Sequence, residues 1–183
     1  VATYTTETLT DELREKTRVL EAVNQIGLAL ASQLAIDALL QLVTDSATRL
    51  VGAEFGAFFD NTVNQQGDAF VLYTWSGADR KDFERLSLPR ATALFGTTFR
   101  GEAVIRADDI QAHPAYGKSS PHFGMPPNHL PVRSYLAVPV VSREGTVFGG
   151  LFFGHSAVGV FNAQHESAIT NIAAQTAVAI EKA

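Results

Sequence analysis

Three histidines, His113, His122 and His129, stand nine and seven residues apart in a stretch that also holds five of the seven prolines, between Pro114 and Pro131. Neutral imidazole is a common ligand for transition metals and haem, so this group is the first place to look for a metal centre. The spacing argues against one. No histidine pair falls at helical i, i+4 spacing, and separation along a loop supplies no ligand geometry, so capping of loop carbonyls or contact with solvent is the expected role. His155 and His165 flank the last strand and helix and read as surface residues.

Asp108 and Asp109 are adjacent, and neighbours on an extended chain point to opposite sides, which spoils them as an acid–base pair. One of them is expected to tie down the loop through backbone N–H groups, or Asp109 to meet a polar ligand group. The planar fork of Arg133 suits a carboxylate or phosphate, or a salt bridge to Glu102, Asp108 or Asp109. Trp75, Tyr116 and Tyr135 could stack on a flat ligand or simply belong to the core. Ser134 and Ser142 have no base arranged near them and no nucleophile-elbow pattern. The glycines of FGTTFRG and VFGG lack a phosphate-loop lysine or a Gly-x-Gly-x-x-Gly strand–helix context. No catalytic centre follows from these residues.

Thr8 and Asp11 fit a cap signature for a helix to about Ser32, whose first part, DELREKTR, is highly charged. A second helix is predicted from an Asp37 N-cap to Gly52, with Leu40, Val43, Ala47 and Leu50 facing inward. The period then changes to two. Phe55, Ala57 and Phe59 alternate in one strand, and Val71, Tyr73 and Trp75 in the next. After Gly77, ADRKDFERL reads as a short helical turn, TALFGTTFRGE as a loop or short helix, and a third strand falls around Val104 to Arg106. From Ala107 to Ser134 regular patterning disappears, and so long an irregular segment inside a compact domain points to function.

SYLAVPVVS and TVFGGLFFGH then form a hairpin across Arg143, Glu144 and Gly145. Pro139 has no N–H for a ladder and marks an edge or a bulge, while Gly149 and Gly150 mark a close approach of another backbone or a ligand. A last helix is capped by Asn162, with Ile169, Ile172, Thr176 and Ile180 inward. Helices, strands and a helix joined by hairpins imply α+β with a mostly antiparallel sheet.

At 183 residues, with 46% apolar and 18% charged content, the chain suits one folded domain. Its charge of −5 comes without a dense basic cluster, which argues against nucleic-acid binding. The absence of cysteine excludes disulfides, thiolate metal sites and a thioether-linked tetrapyrrole. No apolar run approaches the roughly 20 residues of a membrane-spanning helix, and the N-terminal residues lack signal-peptide character. A cytoplasmic domain cut from a longer protein is the expectation.

The segments ALFGTTFRGEAVIRADDI, HPAYGKSSPHFGMPPNHLPVRSYLAVPVVSREGTVFGGLFFGH and VFNAQHESAITNIAAQTAVAIE, in that order, resemble the GAF domain of bacterial signalling proteins. They are most similar to the branch that precedes sensor kinases and related output modules. The resemblance spans roughly residues 20 to 183. It implies an antiparallel sheet of five or six strands, with the first, second and last helices on one face and a ligand pocket on the other, roofed by the irregular segment. GAF domains hold cyclic nucleotides, tetrapyrroles, haem or small metabolites there, and commonly dimerise through their terminal helices.

Mapped onto this sequence, the implied ligand face carries Trp75, Asp109, Ile110, Tyr116, His129, Arg133 and Tyr135. The cysteines that anchor bilins or reduce free methionine sulfoxide are missing, as is the Asn-Lys-Xaa-Asp-Glu sequence of cyclic-nucleotide binders. The ligand therefore stays unidentified, with no covalent bilin, haem or metal expected. One domain over 1–183 is expected, with 1–20 a linker or dimerisation helix and 21–183 the core. The resemblance implies a noncatalytic sensory module of a two-component or related signalling protein. It would form a homodimer through its terminal helices and pass a small-molecule signal to an output domain of the same polypeptide. The alternatives are a ligandless dimerisation module and an enzyme acting on a small metabolite.

Overall fold

The computed structural model describes residue 17 and residues 35–61, 71–79, 81–82, 92–120, 123–125 and 127–183. The predicted first helix lies outside these residues apart from Thr17, as does His122. Residues 35–51 are helical (α1), followed by β1 (Phe55–Asp60), β2 (Val71–Ser76), a short helix α2 (Phe95–Phe99) and β3 (Ile105–Ala107). A 3-10 turn (Ile110–Ala112), the hairpin β4 (Ser134–Val141) and β5 (Val147–His155), and α3 (Ala163–Lys182) complete the chain. The strands form one antiparallel sheet in the order β2-β1-β5-β4-β3. This is the expected α+β architecture, with five strands among the described residues.

Helices α1 and α3 cover one face of the sheet, and α2 with the 107–133 segment covers the other. Because both faces are covered, the hairpin strands bury most of their residues and leave none fully exposed, and their alternation sorts side chains between two cores. Leu136, Val138, Val140, Leu151 and Phe153 join Leu40, Ala47, Ile169, Ala173 and Ala177 on the helix side. Tyr135, Ala137 and Phe152 join Phe55, Ala57, Phe59, Phe99 and Ile110 on the loop side. Full burial of one such aliphatic or aromatic side chain contributes about 1.5–3 kcal/mol. Among the described residues no helix is long and apolar enough to cross a membrane.

Three local expectations are corrected. Asp37 lies inside α1 and is not its N-cap; its carboxylate accepts a hydrogen bond from the Tyr73 hydroxyl, so a tertiary partner takes the oxygen a cap would have used. Leu50 is 54% exposed, and the inner face of α1 runs instead through Leu40, Thr44, Ala47, Thr48 and Val51. The two threonines satisfy their hydroxyls on helix carbonyls one turn back, which lets them stand at buried positions. Tyr73 and Trp75 do not share a face. A register shift beside Phe58 and Phe59 interrupts the pairing of β1 with β2. Tyr73 then packs edge-on to Phe58 in the helix-side core while Trp75 packs on the loop side.

Elsewhere the local signals hold. Asn162 caps α3 by accepting from the backbone N–H groups of Gln164 and His165. Among the described residues β3 pairs with Tyr135, Leu136 and Ala137 alone, so beyond Ala137 β4, Pro139 included, has β5 as its single neighbour, with a bulge at Val140 and Val141. The third strand begins one residue later than the pattern suggested. Gly149 and Gly150 are approached by protein: a Cβ at 149 would lie 2.1 Å from the Phe59 carbonyl oxygen, and one at 150 2.9 Å from the Thr98 methyl group.

Candidate functional site

The irregular 107–133 segment is fixed at both ends by backbone bonds. Ile110 N–H donates to Arg133 O (2.7 Å), Arg133 N–H to His155 O (2.8 Å) and Gly159 N–H to Asp108 O (3.0 Å). Ser134, fully buried, donates its hydroxyl to Ala157 O at 2.7 Å and accepts from Val160 N–H at 2.9 Å. Both capacities of that hydroxyl are spent on holding loops. Ser142 likewise accepts from the N–H groups of Glu144 and Thr146 and closes the hairpin turn.

Asp109 accepts from Gln111 N–H at 3.1 Å, capping the 3-10 turn, and both its carboxylate oxygens bind the Arg133 guanidinium, at 2.9 and 2.5 Å. The guanidinium bonds, reinforced by the turn N–H, hold the Asp109 carboxyl below its ordinary range although burial opposes them. The two candidate rim charges are thus each other's partners. A two-pronged arginine–carboxylate pair of this kind fixes geometry as well as charge.

His129 has Nδ1 2.7 Å from Leu130 O, which makes Nδ1 the donor and Nε2 the unprotonated nitrogen. Its burial lowers the imidazole pKa, so the ring is neutral at physiological pH. His113 instead accepts through Nδ1 from Ala115 N–H. Among the described residues no three His, Asp or Glu side chains stand together as a metal set. Ser156 donates to Glu54 at 2.6 Å and His155 Nε2 stands 3.6 Å from the same oxygen, but His155 Nδ1 faces Ala157 N–H. No imidazole there addresses a serine hydroxyl, so the cluster has no nucleophile–base pair.

The structure gathers Ile110 and Tyr135 in the loop-side core, with Trp75 and Tyr116 partly buried against it. It leaves Asp109 and Arg133 partly exposed on the rim. The Tyr116 hydroxyl accepts from Met125 N–H at 3.3 Å and staples the loop to itself. The sequence reading missed the rings at the centre of this face: Phe95, Phe99 and Phe152, with centroid separations from 5.2 to 6.5 Å. A signal existed in the i, i+4 spacing of Phe95 and Phe99, and in Phe152 standing between Gly150 and Gly154 on one strand face.

Among the described residues, two hydroxyls on this side, those of Tyr135 and Thr98, are buried without a hydrogen-bond partner. Leaving a polar group so costs about 1–3 kcal/mol. Burial also pushes the Tyr135 phenol far above its ordinary pKa, so the hydroxyl keeps its proton. A separate cavity of about 510 Å³ opens between Val141–Arg143 and the α3 residues Ala174, Gln175, Ala177 and Val178. It touches none of the expected site residues.

Comparison with known proteins places this geometry. A family model described as GAF domain matches residues 33–181. Among solved structures, the chain is similar to the GAF domain of a phosphoenolpyruvate-protein phosphotransferase from Coxiella burnetii, at 21% identity and TM-score 0.65, covering 89% of this chain and 92% of that one. It is similar to the GAF-B domain of DevS from Mycobacterium smegmatis at 23% identity and TM-score 0.58, covering 80% and 93%. It is also similar to a type II free methionine-R-sulfoxide reductase from Thermoplasma acidophilum at 12% identity and TM-score 0.58, covering 80% and 96%. At these identities the likeness to solved structures is one of fold.

Proposed function

The chain belongs to the GAF domain family, a family of regulatory and sensory modules, and from that premise we propose that it is a noncatalytic sensor within a larger signalling protein. In this reading it takes a small molecule on the loop side of its sheet and passes the signal to an output domain through its terminal helices, as a cytoplasmic homodimer. The observation that carries the reading is how thin the barrier between the two cores is. Tyr135 and Leu136, and Phe152 and Phe153, are successive residues on β4 and β5, one facing the loop side and the next the helix side. A ligand that shifts Tyr135 or Phe152 acts on the strands against which α3 packs. Transmission requires only that the ligand bind two arrangements of α3 with different affinity.

The test is hydrogen exchange with and without a bound small molecule, identified first by mass spectrometry of what the purified protein releases. Protection is expected to rise across 107–133 and in α3 more than in β4 and β5. Equal change everywhere, or none in α3, counts against signalling through the sheet. Light scattering that shows only monomer at high concentration counts against the dimer.

A second reading, a ligandless dimerisation module, is favoured by the aromatic rings that fill much of the loop side. Purified protein that releases nothing, and that no small molecule stabilises, decides for it.

A further inference from the structure

Among the described residues the only buried side-chain polar atoms without a hydrogen-bond partner are the hydroxyls of Tyr135 and Thr98. They come from different elements, β4 and α2, yet the side chains that carry them both lie close to Phe152. The Tyr135 and Phe152 ring centroids are 6.4 Å apart. A Cβ on Gly150 would meet the Phe152 ring at 2.8 Å and the Thr98 methyl group at 2.9 Å. Phe95, 6.1 Å from Tyr135 and 5.4 Å from Phe152, is only partly buried and forms the outer layer above them. Native proteins leave few buried polar atoms unmatched, and a group supplied from outside is one physical reason for an exception.

The charges absent from this face bear equally on what it accepts. Among the described residues the buried polar side chains are those of threonine, serine and Tyr135, and no Asp, Glu, Lys, Arg or His is fully buried. Arg133, the cation on the rim, is held by both oxygens of Asp109. An ionic ligand entering here would lose its hydration and meet no opposite charge.

We propose that the loop side takes a neutral, flat aromatic molecule that presents a hydrogen-bond acceptor, a ring nitrogen or a carbonyl, to the Tyr135 hydroxyl. The inference rests on the ligand-binding reading above and adds the class of ligand. Phe95 and Phe152 supply ring faces and edges for stacking. The Thr98 hydroxyl, which can donate or accept, takes a second polar group where the ligand has one.

Three bicyclic probes of similar size test it, titrated at neutral pH into the 183-residue protein and its Tyr135→Phe variant. Quinoline is neutral and carries a ring-nitrogen acceptor, naphthalene is neutral without one, and 1-naphthoate is an anion. Quinoline is expected to bind the unmodified protein about tenfold tighter than naphthalene, the worth of one hydrogen bond to a buried group. Tyr135→Phe is expected to abolish that preference and leave naphthalene unchanged, while 1-naphthoate binds weakest to both. Without any probe, Tyr135→Phe is expected to melt at the same or a higher temperature, because the lost hydroxyl had no partner.

Each contrary result has its own meaning. A variant that is less stable or fails to fold overturns the unpartnered hydroxyl on which the proposal stands. Equal binding of quinoline and naphthalene overturns the Tyr135 contact, and tightest binding by 1-naphthoate overturns the neutral class while keeping a ligand face. Binding of none of the three overturns the flat-aromatic class, whereas the ligand-binding reading itself falls only if the purified protein also releases nothing that raises amide protection over 107–133.

Discussion

The two sides of the sheet are built from the same strands but finished differently. On the helix side, Thr44, Thr48, Thr74 and Thr176 are all buried, and every one of their hydroxyls has a partner. On the loop side, Tyr135 and Thr98 are equally buried and have none. The helix side is held by regular helices with capped or back-bonded polar groups. The loop side is held by an ion pair, turn bonds and a histidine–carbonyl contact spread over an irregular segment. Stability and adaptability thus lie on opposite sides of the sheet. The side that carries the helices is complete in itself, and the side that faces the roof keeps an unmet hydrogen bond that departs from the most stable arrangement.

The largest effect that could break this contrast is a pair of ring deletions. Phe153→Ala removes a ring that is 1% exposed on the helix side and is expected to cost about 3–5 kcal/mol in denaturant unfolding. Phe95→Ala, at the partly open edge of the loop side, is expected to cost less than half as much. Equal losses would show the two cores to be equally tight.

Close packing of α1 on β1 offers the next test. A Cβ at Gly56 would lie 2.1 Å from the Thr48 Oγ and 3.0 Å from the Phe153 ring. Gly56→Ala is therefore expected to cost about 1–3 kcal/mol by overpacking. Combining it with Thr48→Ala, which withdraws the hydroxyl, is expected to cost less than the sum of the two changes. Strict additivity in a double-mutant cycle would refute the direct clash.

Native-state hydrogen exchange sharpens the comparison further. The 107–133 segment, held by scattered bonds, is expected to open at lower free energy than the 134–155 hairpin. Exchange of both as one cooperative unit would make the roof part of the global core.

The smallest expected effect is on pH dependence. Burial lowers the pKa of His129 in the folded protein below the ordinary 6.5. The unfolded chain then binds the proton more readily, so the contribution to stability is complete above the unfolded pKa and is lost as pH falls through the folded value. The urea midpoint is expected to decline as pH drops from neutrality below about 6.5, less steeply in His129→Gln. Identical slopes would remove His129 from the buried groups of the roof.

Sequence alone determined whatever depends on near neighbours. The period-two runs of β1 and the hairpin, the Asn162 cap, the Arg143–Gly145 turn and the edge at Pro139 were legible because each follows from spacing, φ preference or a missing N–H within a few residues. The resemblance carried by three ordered segments extended this to the family and to which face bears the roof. Tertiary structure alone decided the pairings across distance. Arg133 had Glu102, Asp108 and Asp109 within plausible reach, and only the 3-10 turn at Ile110 brings Asp109 to it. Asp37 looked like a cap until Tyr73, 36 residues away, took its carboxylate. Tyr73 and Trp75 parted because a register shift depends on the partner strand and leaves no mark in the alternation of its own strand. Whether the Tyr135 hydroxyl had a partner was likewise settled only by what the fold placed around it. Local backbone preference is written in types and spacing, whereas the partner of a side chain is set by where distant segments come to rest.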